Sequence, residues 1–106
     1  MNELIEHIWD HAKNVDGRNP DIWRRDFAGA LIRRDQYGVS CKYGWVVDHI
    51  KPKSIGGDDS LDNLQALHWR NNASKGNNYP VLETRVTSDG KDNIYKVKRW
   101  QLSTKK

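Results

Sequence analysis

The segment between Trp45 and Gly76 constrains the fold more than any other part of this 106-residue chain. It predicts four elements in a fixed order: a strand over residues 45–50, a polar loop over 54–60, a second strand over 64–67 and a helix over 69–75. β-Branched and aromatic residues favour the first strand, and Pro52 ends it. Gly76 stands where a glycine commonly stops a helix. The segment therefore predicts a strand–loop–strand–helix unit.

The rest of the chain predicts helices on the N-terminal side and a β-hairpin on the C-terminal side. The first predicted element is a helix over residues 2–13 with Asn2 as N-cap. A second short helix is predicted to begin at Pro20 and to carry Ile22, Trp23, Asp26 and Phe27. A strand over 28–33, a loop over 35–44 and two hairpin strands over 84–86 and 94–97 follow. At this length we expect an α+β fold in a single domain over residues 1–106, with its core motif at about 45–77.

Asp48 and His49 place a carboxylate beside an imidazole at the end of the first predicted strand. Alternation along a strand would send the two side chains to opposite faces, so both can serve one site only if the strand ends or distorts there, as the nearby Pro52 allows. A carboxylate suits a hard cation, and a histidine with a pKa of ~6.5 can deprotonate water near neutral pH. Taken alone, an Asp-His pair is more often a hydrogen-bonded pair at a strand end.

Later residues turn this pair into a longer pattern. They are Gly56-Gly57 in the loop, Asn63-Leu64-Gln65 after it, and Asn72-x-x-Lys75-Gly76 in the predicted helix. With Asp48-His49, the pattern resembles the HNH endonuclease family, whose fold is the ββα-metal, or His-Me finger, motif. The resemblance is strongest over residues 45–77. It extends more weakly to Trp23-Arg-Arg-Asp26 and Tyr43-Gly44, which look like a zinc-free bacterial and phage subgroup.

The resemblance implies a role for four residues. His49 would be the general base, and Asn63 would brace the loop so that the histidine is held in orientation. Asp48 and Asn72 would bind one divalent cation. One carboxylate and one amide leave about four of six octahedral positions to water and phosphate oxygens, so we expect Mg²⁺ or Mn²⁺, bound weakly until DNA completes the shell.

Two features depart from many relatives. Those proteins carry paired Cys-x-x-Cys knuckles that bind a structural zinc, whereas here His68 and Asn71 stand where the second pair would fall, and Cys41 is the single cysteine. We therefore expect no structural zinc, and we expect aromatic packing to replace it. The last motif residue is Asn72 rather than histidine, a substitution that occurs in the family and favours a hard cation.

Five residues around the motif are candidate nucleic-acid contacts: Lys51, Lys53, His68, Arg70 and Lys75. For two of them other roles stay open. His68 could be a third metal ligand, although a structural role at the vacated cysteine position is favoured, and Lys75 could cap the helix C-terminus instead of meeting a phosphate. Five further residues are assigned to a helix surface or to caps and turns: His7, His11, Asp26, Asp58 and Asp59.

Composition adds weaker signals about partners. Lys and Arg outnumber Asp and Glu by 18 to 14, and the resulting net charge of +4 suits an anionic partner without proving one. Part of this charge lies in the tail, at Lys105 and Lys106. The five tryptophans are expected mainly to fill a small core rather than to stack on bases. Because nothing resembles a signal peptide and no apolar run approaches the ~20 residues of a membrane span, we expect a soluble, cytoplasmic protein.

Together these observations predict a metal-dependent endonuclease that hydrolyses DNA phosphodiester bonds by a one-metal mechanism, on double-stranded DNA and with little sequence specificity. Two alternatives stay open. The first is a nucleic-acid-binding protein that retains the HNH fold without cleaving, and the second is a structure-specific or RNA nuclease. The sequence leaves open the oligomeric state and the choice between nicking and double-strand cutting.

Overall fold

Within residues 2–102, the part of the chain that the computed structural model describes, every strand belongs to an antiparallel pair. The strands are β1 (Trp23–Arg25), β2 (Leu31–Arg33), β3 (Trp45–His49), β4 (Leu64–His68), β5 (Val81–Ser88) and β6 (Asn93–Gln101). The helices are α1 (Glu3–His11) and α2 (Trp69–Lys75), and 3₁₀ turns cover Arg34–Gln36, Lys53–Ile55 and Leu61–Asn63. The pairs are β1 with β2, β3 with β4, and β5 with β6. The fold is therefore α+β, as the sequence predicts.

Helix α1 begins at the predicted cap. The Asn2 side chain accepts a hydrogen bond from the backbone N–H of Ile5 at 2.9 Å, which satisfies one of the donors that a helix N-terminus leaves unpaired. The helix ends at His11, two residues earlier than predicted, because Ala12 is extended and Lys13 pairs with Arg25 of β1. Neither helix in the described part of the chain has the length and apolar character that crossing a membrane requires.

The predicted second helix after Pro20 is wrong. Residues 23–25 form β1 instead, which pairs with β2 in a register that sets Arg24 opposite Ile32. Arg24 also donates to the carbonyl oxygens of Pro20, Asp10 and Ala12, which ties this segment to the end of α1. The predicted strand over residues 28–33 is shorter than expected and starts only at Leu31. Contacts with distant residues have overridden the local helical signal.

The apolar core lies between α1, β2, β3 and β4. Its buried members are Ile8, Trp9, Ile32, Trp45 and Ala66. The rings of Trp9 and Trp45 lie 5.3 Å apart, and each indole N–H donates to a backbone carbonyl, so neither polar atom is left unpaired. The other three tryptophans are only half-buried. The prediction that indoles fill the core therefore holds fully for two of the five.

The strand–strand–helix unit follows the predicted order. In the β3–β4 pair, Asp48 lies opposite Gln65 and His49 lies opposite Leu64. Helix α2 starts directly after β4 and ends at Lys75, and Gly76 follows with a φ of 52°, a conformation that favours glycine. Strands β5 and β6 extend well beyond the predicted hairpin segments, and β5 packs against α2. This packing holds α2 between β3 and β5.

A buried carboxylate anchors α2 to the rest of the fold. Asp26, which is 1% exposed, accepts hydrogen bonds from the backbone N–H groups of Ala28 and Ala30 and, at its other oxygen, from the His68 N–H and the Asn71 side chain. Burial raises the pKa of Asp26, and these four hydrogen bonds oppose that shift. The assignment of Asp26 to a turn was thus incomplete, since the same carboxylate reaches 45 residues along the chain.

The network continues through Asn71, one of the two residues that stand in place of zinc-binding cysteines. Its side-chain oxygen accepts from the backbone N–H groups of Arg85 and Val86, and its amide nitrogen also donates to the Val86 carbonyl. Asn71 therefore joins α2 to both the Asp26 carboxylate and strand β5. At this position buried hydrogen bonds make the connection, and the neighbouring His68 ring stacks on Trp69 with 6.1 Å between ring centres. The expectation that aromatic packing replaces a zinc stays a prediction.

His68 is the N-cap of α2. Its Nδ1 accepts from the Arg70 N–H at 3.1 Å, and its Nε2 lies 2.8 Å from the Lys42 carbonyl, to which it donates. Both ring nitrogens are thus used by the neutral ring, which is 2% exposed. A structural role, the favoured reading of the sequence, fits this geometry, whereas a direct contact with a metal or a phosphate does not.

The His68 ring predicts a pH dependence of stability. Burial lowers the pKa of His68, and protonation of Nδ1 would remove the acceptor that caps α2. As the pH falls below about 6.5, the unfolded chain therefore binds a proton before the folded chain does, and stability is lost. We expect the free energy of unfolding of the wild type to fall relative to that of His68→Asn, because Asn can cap the helix but does not titrate. Urea unfolding of both proteins, measured between about pH 7.5 and about pH 5, checks this; a constant difference would contradict it.

Candidate active site

Three of the four residues with a predicted catalytic or metal-binding role line one cleft. Asp48 and His49 at the end of β3 and Asn72 on α2 face a cavity of about 360 Å³, which Pro52 and Lys53 also border. Both Asp48 and His49 belong to β3, which ends at His49, and both residues line the cleft. The structure therefore brings a carboxylate, an imidazole and an amide together from two elements.

Asp48 is held by two partners. One carboxylate oxygen accepts from the Gln65 side chain across the β3–β4 pair at 2.9 Å, and the other lies 3.3 Å from the Lys75 ammonium. The side chain is 6% exposed. Burial raises the pKa of Asp48, while the hydrogen bond from Gln65 and the charge of Lys75 act in the opposite direction. These partners fix the carboxylate at the wall of the cleft.

Lys75 is buried in the interior of the protein, whereas the sequence left open a contact with a phosphate or a cap on the helix C-terminus. Its side chain is 0% exposed, and its ammonium donates to the His49 carbonyl at 2.9 Å as well as to Asp48. A phosphate in the cleft does not reach this ammonium in the observed conformation. Instead, Lys75 ties the end of α2 to the two adjacent residues at the end of β3.

His49 is half-exposed, with 32% of its side chain accessible. Its Nε2 lies 2.7 Å from Oδ1 of Asp59, and the second oxygen of Asp59 accepts from Lys53 at 3.1 Å. The sequence assigns Asp59 to a turn, but in the structure its carboxylate forms a hydrogen bond with His49, the predicted general base. The neighbouring Asp58 does cap a turn, because its carboxylate accepts from the N–H and the hydroxyl of Ser60.

Asn63 connects the two ends of the loop that follows His49. Its side-chain oxygen accepts from the Lys51 N–H, and its amide nitrogen donates to the carbonyls of Lys51 and Asp58. In addition, the Ile50 N–H donates to the Asn63 carbonyl. These bonds close the loop between residues 50 and 63 just beyond the imidazole.

Asn72 completes the donor set of the cleft. Its side chain is half-buried on α2, and no hydrogen bond to it is found among residues 2–102. Over the same residues, no group of three or more His, Cys, Asp or Glu side chains is placed to hold a metal ion. A cation here would therefore depend on one carboxylate and one amide, with water and phosphate oxygens as further ligands. Each oxygen of Asp48 has a second lone pair beyond those used by Gln65 and Lys75, so this set fits a hard cation.

The remaining nucleic-acid candidates differ in exposure. Lys51 and Arg70 are exposed, and the Arg70 guanidinium lies 4.4 Å from the centre of the Trp69 ring. Lys53 is exposed at the edge of the cleft and bonded to Asp59. His68 and Lys75 are buried. The tail residues Lys105 and Lys106 lie outside the described residues.

Sequence reasoning missed the roles of Asp59, Gln65 and Lys75. Helical spacing offered one signal, because Lys75 follows Asn72 by three residues and shares its helix face. Gln65 lies opposite Asp48 only once the strand register is known. The irregular loop between Gly57 and Asn63 has no periodicity from which the position of Asp59 could be read.

The cleft thus unites the groups that a metal-dependent hydrolase can use, on a strand–strand–helix unit. Residues 35–78, less than half of the chain, match the model of the HNH endonuclease family. The match includes most of the segment in which the sequence resembles this family, and it confirms that resemblance. No curated protein and no solved structure matches the chain.

Proposed function

We propose that this protein is a metal-dependent endonuclease that hydrolyses DNA phosphodiester bonds. The observation that carries the proposal is the meeting of Asp48, His49 and Asn72 around one cleft inside the segment that matches the nuclease family. The imidazole is partly exposed there, so a water molecule can reach it.

In the proposed reaction, His49 takes a proton from the attacking water. The water oxygen forms a new bond to phosphorus, the bond from phosphorus to the 3′ oxygen breaks, and a second water protonates the departing oxygen. Products with 5′-phosphate and 3′-hydroxyl ends follow from the family resemblance. Asp48 and Asn72 would hold Mg²⁺ or Mn²⁺, which supplies positive charge to the phosphate and to the departing oxygen.

The charges around the cleft favour cation binding together with the substrate. The Lys75 ammonium offsets the negative charge of Asp48, so the donor set alone attracts a cation weakly. A DNA phosphate would bring the missing negative charge and further oxygen ligands. We therefore expect tight metal binding only in the presence of nucleic acid.

The proposed substrate is duplex DNA with little sequence preference. The net charge of +4 suits a polyanion, and Lys51, Lys53 and Arg70 are exposed near the motif. Phosphate contacts of this kind depend on salt rather than on base sequence. A comparison of duplex, branched, single-stranded and RNA substrates separates this proposal from a structure-specific or RNA nuclease.

Cleavage of supercoiled plasmid by the purified wild type tests the proposal. We expect relaxed or linear product with Mg²⁺ or Mn²⁺ and none with EDTA. One observation favours a rival, a binding protein without nuclease activity: both oxygens of Asp48 already have protein partners. DNA binding without cleavage at any divalent-metal concentration would support that rival and end the nuclease proposal.

Removal of the amide ligand predicts a change in metal dependence. Because Asn72 is free of side-chain partners within residues 2–102, Asn72→Ala leaves no buried group unpaired and should raise the Mg²⁺ or Mn²⁺ concentration for half-maximal cleavage at least about tenfold. Metal titrations of the initial cleavage rate measure this. Asn78→Ala, at an exposed residue just beyond α2, is the matched control and should behave as the wild type. Identical metal titrations for the two variants would remove Asn72 from the site.

A further inference from the structure

Oδ1 of the Asp59 carboxylate lies 2.7 Å from Nε2 of His49. Its second oxygen accepts from the Lys53 ammonium at 3.1 Å. The hydrogen bonds from His49 and Lys53 lower the pKa of Asp59, so the group is ionised at neutral pH. An ionised carboxylate can only accept hydrogen bonds, and the hydrogen between Asp59 and His49 must therefore sit on Nε2.

A hydrogen on Nε2 determines which ring nitrogen of His49 can accept a proton. In a neutral imidazole one nitrogen donates and the other accepts, so Nδ1 carries the lone pair. Nδ1 has no hydrogen-bond partner among residues 2–102. The nitrogen that can take a proton from water is then Nδ1.

The loop holds Asp59 in place from both sides. Asn63 donates to the carbonyl of Asp58, the residue immediately before Asp59, and Asp58 in turn accepts from Ser60, the residue immediately after. Asn63 also bonds to the backbone of Lys51, two residues after His49. One side chain thus fixes the segments that carry both members of the pair.

We propose that Asp59 is a positioning residue, which keeps His49 in the tautomer with hydrogen on Nε2 and so presents Nδ1 to the attacking water. The inference rests on the proposed nuclease function and adds to it a residue outside the four motif positions. It also gives the brace Asn63 a physical route to the imidazole, through the backbone of Asp58 and the carboxylate of Asp59.

The neighbouring Lys53 makes two substitutions distinguishable. In Asp59→Asn, Lys53 keeps the amide oxygen on its own side, so the amide NH₂ faces His49 and donates to Nε2. This favours hydrogen on Nδ1, the wrong tautomer for the reaction. In Asp59→Ala neither tautomer is favoured by a partner. We expect kcat to fall about 10- to 100-fold in Asp59→Asn and less in Asp59→Ala, with KM for DNA little changed in both.

If Asp59 and His49 formed only a structural ion pair, kcat would not fall further in Asp59→Asn than in Asp59→Ala. Asp59 is 68% exposed, and an exposed pair contributes little to stability. Both variants should therefore unfold at the same urea concentration as the wild type. Asp62→Asn is the matched control, since Asp62 is an exposed carboxylate in the same loop and makes no side-chain hydrogen bond within the described residues.

Nitrogen-15 NMR of the His49 ring, recorded without metal at about pH 8, tests the tautomer independently of activity. We expect hydrogen on Nε2 in the wild type and in Asp62→Asn, and an increased share of hydrogen on Nδ1 in Asp59→Asn. An unchanged tautomer in Asp59→Asn would overturn the proposal. So would equal cleavage by Asp59→Asn and Asp62→Asn. Cleavage by Asp59→Ala that is faster than cleavage by the wild type would also overturn it, because Asp59 would then block the site. A wild type that does not cleave overturns the nuclease function instead, and the NMR result still decides the role of Asp59.

Discussion

His49→Ala is expected to lower the rate of plasmid cleavage by about 10²- to 10⁴-fold, the usual contribution of a general base. Among the described residues, His49 has the only imidazole at the cleft, since His7 and His11 lie on α1 and His68 is buried at the start of α2. DNA binding should change little, because the exposed residues proposed to contact phosphates, Lys51, Lys53 and Arg70, are retained. Initial rates of relaxation and a binding titration with EDTA measure the two effects.

The control for this experiment is His7→Ala. His7 is exposed on α1 and lies outside the cleft, so its removal should leave the cleavage rate unchanged. Wild-type cleavage by His49→Ala would remove the histidine from the proposed mechanism. Equal loss in both variants would show that the assay reports a general property of the protein rather than the site.

Asp26→Ala should destabilise the fold by about 3–5 kcal/mol, because it leaves several buried donors unpaired. Those donors are the N–H groups of Ala28, Ala30 and His68 and the amide of Asn71. A loss of this size is a large share of the total stability of a small domain. Urea unfolding, followed by tryptophan fluorescence, measures the change in the free energy of unfolding.

Asp16→Ala serves as the matched control. Asp16 is an exposed aspartate in the turn between α1 and β1, and its replacement should change stability by no more than about 0.5 kcal/mol. If Asp26→Ala lost less than about 1 kcal/mol, the Asp26–Asn71 network would not be what anchors α2.

The parts of the fold that the sequence predicted correctly depend on local signals. Pro52 and Gly76 mark element ends through backbone constraints that act wherever the residues occur. Asn2 caps α1 through a hydrogen bond three residues away. Strands β3 and β4 and helix α2 therefore appear within a residue or so of the predicted bounds.

The parts that the sequence missed depend on partners far along the chain. Residues after Pro20 form β1 because they pair with β2 and with the end of α1, and no local pattern specifies those partners. Asp26 looked like a turn residue because its bonds to Ala28 and Ala30 are local, whereas its bonds to His68 and Asn71 are not. A buried polar network of this kind becomes visible only when the chain is folded.

The candidate site, like the fold, was predicted from the sequence only in part. The family pattern predicted which residues would approach one another, and Asp48, His49 and Asn72 do line one cleft. The groups that hold them, Gln65 and Lys75 on Asp48 and Asp59 on His49, come from strand register, helix burial and an irregular loop. Spacing along the sequence does not report those three features.

The most direct test of the central claim is anomalous diffraction from Mn²⁺ in crystals of His49→Ala bound to a short DNA duplex. We expect one Mn²⁺ peak at about 2.0–2.2 Å from a carboxylate oxygen of Asp48 and from the amide oxygen of Asn72, with a phosphate oxygen among its other ligands. A peak that contacts neither residue, or a DNA-bound cleft without Mn²⁺ at saturating concentration, would contradict it.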